Sequence, residues 1–192
     1  MDEDIREVRY GVSWEEFEAF LASKEEEARS VPRVAYLDGV LELMTPSRSH
    51  EKQGVWLTTL LAIYAEERGI ELSAFGGWTQ KDEMKRAGAE PDSCFVLGDD
   101  QESAVRPDVV IEVQWSKANL SKLEIYKRLG IREVWFWDKP NVVSVHVMRD
   151  GDFVRVERSA CLPDLDLDEI CSFLGRPTMT GAMRDYRAAL AR

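Results

Sequence analysis

The chain has 192 residues, 44% hydrophobic and 32% charged, which suits one soluble domain with a core of its own. Its net charge of −11 argues against a broad basic surface for non-specific nucleic-acid binding, but leaves room for a local cationic groove. No apolar run approaches the ~20 residues that span a bilayer, the stretch Met1 to Tyr10 is too acidic for a signal peptide, and Cys94, Cys161 and Cys171 are scattered without a CxxC. A cytoplasmic protein is expected, with no membrane partner, zinc site or disulfide framework.

Ser13 reads as an N-cap. With Glu15 and Glu16 in the first turn and Trp14, Phe17, Phe20 and Leu21 at helical spacing, it predicts a helix over 13–27. Residues 34–44 read as a hairpin turning at Asp38-Gly39. Ser49 is the expected cap of a long helix over 50–68, with Trp56, Leu57, Leu60, Leu61 and Tyr64 on one face and Gly69 closing it. Strands are predicted over 72–75, 78–81, 93–97 and 109–114, and the polar stretch between Lys81 and Glu90 reads as a loop. A helix over 121–129 ends at Gly130. Strands over 133–138, 142–148 and 153–157 and one helix over 181–191 complete the chain. This order predicts an α/β fold: a single domain with a central mixed β-sheet flanked by helices, its core over about 13–158 and a C-terminal extension over 159–192.

Val109 to Val113 is solidly apolar except at Glu112. A strand of that kind is buried on both faces, and a carboxylate inside it calls for a metal ion or a cationic side chain. Asp92, after Pro91, stands at the start of another strand. Two carboxylates on adjacent strands suit magnesium held against phosphate. Glu112 and Gln114 share one face of their strand. Lys122 lies in the first turn of the next helix, with Tyr126 four residues on along the same face.

Phosphodiester hydrolysis needs a metal held by hard oxygens, an activated water and a cation near the developing charge. Asp92, Glu112 and the Val113 carbonyl are the candidate metal ligands. Lys122 is the candidate for positioning the water or stabilising the transition state, and Gln114 for orienting the water without acting as its base. Two plainer readings stand beside these: Asp92 as an exposed turn residue, and Glu112 as one half of a structural ion pair with Lys122 or an arginine. Asp108 also follows a proline, but it is four residues from Glu112 on one strand, about 13 Å at ~3.3 Å per residue. That is too far to share one metal easily, so Asp108 reads as a strand-start residue.

In order and spacing these segments resemble the PD-(D/E)xK nuclease superfamily, and most of all the Uma-two family, a large bacterial group named as restriction endonucleases. The resemblance runs from Tyr36-Leu-Asp-Gly-Val-Leu-Glu42-Leu-Met through His50, Pro91-Asp92 and Pro107 to Ser116. It ends with Lys122, Tyr126, Gly130 and Glu133 to Asp138. It implies Asp92 as the motif aspartate and Glu112 as the second acid. Position 114 holds Gln where the superfamily often has Lys, and Lys122 matches the neighbouring-helix position to which that lysine migrates. Glu42 and His50 match two further positions implied to face the site. A solvated edge for Glu42 and a helix-start role for His50 are the plainer readings. Tyr126 is expected in the core with its hydroxyl directed at the site. The chain departs from the family at Val134-Trp135-Phe136, and after Ser116, where Lys117 stands in place of the common Pro.

The resemblance implies a restriction-endonuclease-like fold and a metal-dependent endonuclease hydrolysing DNA phosphodiester bonds, with Mg2+ or Mn2+ as cofactor. A homodimer is expected, since it would place two sites for the two strands of a duplex. The acidic charge and Gln114 favour an alternative, a weak or inactive nuclease-fold protein acting as a binding or regulatory module. A third reading is a dimerisation domain with the aromatic strand around Trp135 as its interface. Trp115, Trp135 and Trp137 read as sheet core or dimer surface, because base-stacking platforms sit beside basic residues and these mostly do not.

Overall fold

A computed structural model describes residues 3–114, 119–138 and 142–192. Trp115, Ser116 and Lys117 of the sequence reading lie outside these. The chain runs β1 (Ile5–Tyr10), α1 (Trp14–Glu26), β2 (Arg33–Leu37), β3 (Val40–Thr45), α2 (Arg48–Arg68), β4 (Leu72–Phe75), β5 (Gln80–Asp82), β6 (Ala87–Ala89), β7 (Ser93–Leu97) and β8 (Val109–Gln114). It continues through α3 (Lys122–Leu129), β9 (Glu133–Asp138), β10 (Val142–Arg149), β11 (Asp152–Val156), α4 (Leu167–Phe173) and α5 (Met179–Leu190). No helix among the described residues is long and apolar enough to cross a membrane.

The α/β class holds, and the strands divide between two sheets. One is antiparallel, in the order β1-β3-β2-β6-β5. The other runs β11-β10-β9-β8-β7-β4, with β8 and β9 parallel and its remaining pairs antiparallel. A parallel pair needs a long crossover, which the segment carrying α3 supplies. The chain visits the second sheet at β4, returns to the first at β5, and crosses to the second again at Glu90-Pro91-Asp92, between β6 and β7.

Local chemistry explains most boundaries. Ser13 and Glu16 form the complete capping box of α1. Asp38 and Gly39 both take positive φ, as a two-residue hairpin turn requires, and Asp150 and Gly151 repeat this. Gly69 and Gly130 end α2 and α3 in the left-handed conformation.

Four elements differ from the sequence reading. Ser47, not Ser49, caps α2, so the helix begins at Arg48 and His50 falls inside its first turn. The stretch predicted as a loop after Lys81 contains β6, in which Gly88 sits under Phe17 while Ala87 and Ala89 turn to the layer between the sheets. The acidic N-terminus forms β1, and α4 precedes the expected last helix.

The core lies in layers. On one face of the second sheet, Val109, Ile111, Val113, Trp135 and Trp137 pack with α2, α4 and α5. On its other face, Val110, Val134 and Phe136 meet Ile125, Tyr126 and Leu129 of α3 and Ala35, Ala87 and Ala89 of the first sheet. The far face of the first sheet packs Tyr36, Leu41 and Leu43 against Phe17 and Leu21 of α1. Strand β9 lies between β8 and β10 with Trp135 and Trp137 fully buried. The expected dimer interface on this aromatic strand is therefore interior, and these side chains belong to the core.

Candidate active site

Strand β8 is buried on both faces, as its composition predicts. Alternation turns its odd residues toward α2 and places Glu112 with Val110 in the layer between the two sheets. In β7, Ser93 pairs with Ile111 and Cys94 with Val110. One step further along this register sets Asp92 opposite Glu112, so the two carboxylates are cross-strand neighbours on one face. On the facing sheet, Arg6, Arg33, Ala35, Glu42 and Met44 occupy paired positions that turn the same way. A cavity of about 10 Å³, space for about one water, lies between the sheets and is bordered by Glu112, Lys122, Glu42, Arg6 and Arg33. A larger groove of about 340 Å³ opens on the other side, where Asp92, His50, Arg33 and Thr58 line it.

Glu112 accepts from Lys122 Nζ at 2.9 Å and, through the same Oε1, from the Tyr126 hydroxyl. Burial pushes the Glu112 carboxyl up, the Lys122 charge opposes this, the Asp92 charge adds to it, and the net shift is upward. The Tyr126 hydroxyl is also raised, by its own burial and then by Glu112.

Asp92 accepts from the Val113 amide at 2.8 Å, and its Oδ2 lies 3.0 Å from His50 Nε2. Arg33 Nε stands 3.4 Å from Oδ1. Burial would raise Asp92, but His50, the Lys122 charge and the Val113 amide together hold it below the ordinary carboxylate range. His50 Nδ1 reaches Asp4 Oδ2 at 3.0 Å. Burial favours the neutral ring, yet Asp92 and Asp4 override it and raise His50 to about 9. The histidine is an imidazolium between two buried carboxylates.

Glu42 is buried, pairs with Arg6, and accepts from the amides of Asn119 at 2.7 Å and Leu120 at 3.3 Å. Its carboxylate thus fixes the chain just ahead of Ser121, the N-cap of α3, and not a solvated edge.

Asp92, Glu112, Lys122, Tyr126, Glu42 and His50 therefore converge where the two sheets face each other. The Val113 amide serves Asp92. Gln114 ends β8 opposite Asp138 and makes no side-chain hydrogen bond to Asp92, Glu112 or Lys122 among the described residues. The sequence reading missed Asp4, Arg6 and Arg33. It also missed Lys24, which is buried and donates to Glu90 Oε2 at 2.5 Å and to the Pro32 carbonyl at 2.7 Å, anchoring the residues next to Asp92. A lysine that far along α1 carries no motif. Only the Glu90-Pro91-Asp92 run hints that one acid there needs a cation.

Two carboxylates on one face, Asp92 and Glu112, are the donors that would suit a hard divalent cation. Among the described residues, the hydrogen bonds of Glu112 fall on Oε1 and leave Oε2. No group of three His, Cys, Asp or Glu side chains able to hold a metal occurs among the described residues, so two carboxylates are what the side chains offer.

No curated protein matches the sequence. The model of the Uma2 family, described as "putative restriction endonuclease", matches residues 14–175, a span that holds every candidate ligand above. The chain belongs to this family, and its α/β architecture is restriction-endonuclease-like.

Proposed function

We propose that the protein is a metal-dependent endonuclease that hydrolyses DNA phosphodiester bonds. The observation that carries this reading is the buried pair Asp92 and Glu112, cross-strand neighbours, with the ammonium of Lys122 on Glu112. Asp92, Glu112 and the Val113 carbonyl would hold magnesium or manganese. Such an ion, when bound, polarises a phosphoryl oxygen and lowers the pKa of water.

The chain's own residues do the rest. His50 and the Val113 amide fix the Asp92 carboxylate. Tyr126 fixes Glu112. Lys122 offsets negative charge that develops on the phosphate, and Gln114 orients the attacking water from the same strand face as Glu112. Arg6, Arg33, His50 and Lys122 line the site of this acidic protein, each facing a carboxylate, so the phosphate would meet paired charges there and not a broad basic surface. Cutting both strands of a duplex calls for two such sites, so the reading takes the chain as a homodimer.

Glu112→Gln should abolish magnesium-dependent cleavage of plasmid DNA and leave the fold intact, as circular dichroism reports. Cleavage that survives this change sinks the assignment.

One observation favours a second reading, a binding or regulatory module of nuclease fold: Lys122, Tyr126 and His50 already compensate both carboxylates. Magnesium titration by calorimetry separates the two, because a module with a closed ion-pair network takes up no heat-detectable metal at Asp92.

A further inference from the structure

Strand β1 contributes little to the hydrophobic core. Ile5 and Tyr10 are 72% and 79% exposed, and none of its six residues is buried. It lies at an edge of the first sheet and outside the family match, which begins at residue 14. Yet the N-terminal segment sends two charged side chains into the site. Asp4 and Arg6 are two residues apart in extended chain, so they share one face.

The Asp4 side chain is wholly buried. One oxygen meets His50 Nδ1 at 3.0 Å, and the other accepts from the amide of Ser47, the α2 cap, at 2.8 Å. His50 passes this hold to Asp92. Arg6 pairs with Glu42, and Glu42 takes the amides of Asn119 and Leu120, the two residues ahead of the cap that sets Lys122 at the start of α3. The negative residue thus governs the Asp92 half of the site and the positive residue the Lys122 half. Because the two charges are opposite, the strand has one productive register: a slip by two residues would set Arg6 where Asp4 meets His50.

We propose that β1 is a strap that completes the site, with Asp4 and Arg6 as positioning residues: Asp4 acts on Asp92 through His50, and Arg6 acts on Lys122 through Glu42. This rests on the endonuclease reading above for its effect on rate, but not for its effect on structure. Burial of a carboxylate as deep as Asp4 is costly without several donors, and an edge strand with little apolar contact is held by such polar partners. Groups that orient the residues around a metal typically alter affinity or activity by about ten- to a hundredfold when lost.

The test uses the full chain with Asp4→Asn and Arg6→Gln, each close to its parent in size, and reads amide hydrogen exchange by NMR together with kcat and KM on DNA. Arg6→Gln should speed exchange at Asn119 and Leu120 and leave Val113 unchanged. Asp4→Asn should speed exchange at Val113, the amide that Asp92 holds. Each should lower kcat by about ten- to a hundredfold with little change in KM, and Arg6→Lys should recover part of the loss. If Asp4→Asn does not fold, Asp4→Glu, which keeps the charge but moves it by one methylene, carries the same readouts. Wild-type exchange in both variants overturns the strap, as does faster exchange with unchanged kcat. If the wild-type chain itself cleaves no DNA, the endonuclease reading fails, and the exchange pattern alone decides whether the strap exists.

Discussion

Lys122 Nζ lies 2.9 Å from Glu112 Oε1 although Lys122 is the first residue of α3. A cation there opposes the helix dipole at a cost of about 0.3–1 kcal/mol, and an acidic residue would serve the helix better. The lysine's place is explained by its partner: Glu112 is buried in β8, and Lys122 is its cation. Removing the lysine leaves that carboxylate with Tyr126 alone. Lys122→Met should therefore destabilise the protein by roughly 3 kcal/mol at neutral pH, and the double variant with Glu112→Gln should regain much of the loss. Urea denaturation of the four members of this cycle checks it. A single variant no less stable than the double would show that the ion pair does not hold these groups.

His50 gives a pH dependence of definite sign. Its folded pKa, about 9, lies above the ordinary 6.5 because the Asp92 and Asp4 carboxylates outweigh burial. Its contribution is fully present below about pH 6.5 and is lost as pH rises through about 9. The span corresponds to roughly 3 kcal/mol. In the presence of a chelator, the urea midpoint should fall steadily between these limits, and His50→Gln should flatten the profile. Cys94, Cys161 and Cys171, each pushed by burial to about 12, do not titrate in this window.

The close approach of β6 to α1 yields a prediction about the fold. A Cβ on Gly88 would stand 2.7 Å from Phe17 Cζ, and the Phe17 ring is fully buried and stacked on Tyr36 at 4.7 Å. The ring has nowhere to retreat, so Gly88→Ala should cost about 1–3 kcal/mol. Adding Phe17→Leu should relieve the clash, so that thermal melts place the double variant above the additive expectation. A melting temperature unchanged by Gly88→Ala would contradict the packing of α1 on this strand.

Glu112, Asp92 and Lys122 were legible in the sequence because each breaks a local pattern: an acid in an apolar strand, an acid after a proline, a lysine opening a helix. Their supports were not. In β1 one side faces solvent and the other faces ion pairs, so Ile5, Glu7 and Arg9 alternate with Arg6, Val8 and Tyr10 and neither side reads as apolar. In β6 the residues Ala-Gly-Ala have low strand propensity; the Phe17 ring demands Gly88 on one face, and the close layer between the sheets takes Ala87 and Ala89 on the other. The division into two sheets was hidden for the same reason, since β1 and β6 both belong to the first sheet. Ser47 and Ser49 are both possible caps by composition. Asp4, which takes the Ser47 amide from a distant part of the chain, favours the earlier one.

Lys122 also separates metal binding from catalysis. Its ammonium and a divalent cation would neutralise the same carboxylate, so the two compete for Glu112 even if both act on the phosphate. Lys122→Met should bind magnesium severalfold more tightly than the wild type by calorimetry while losing cleavage. Glu112→Gln and Asp92→Asn should lose binding and cleavage together. A saturating ion, at about a hundred times its Kd, should raise the stability of the wild-type chain by about 2.7 kcal/mol, and this increment should vanish in the two carboxylate variants. If Lys122→Met weakens magnesium binding as much as Glu112→Gln does, the lysine is part of the metal cradle and not a counter-ion that serves the phosphate.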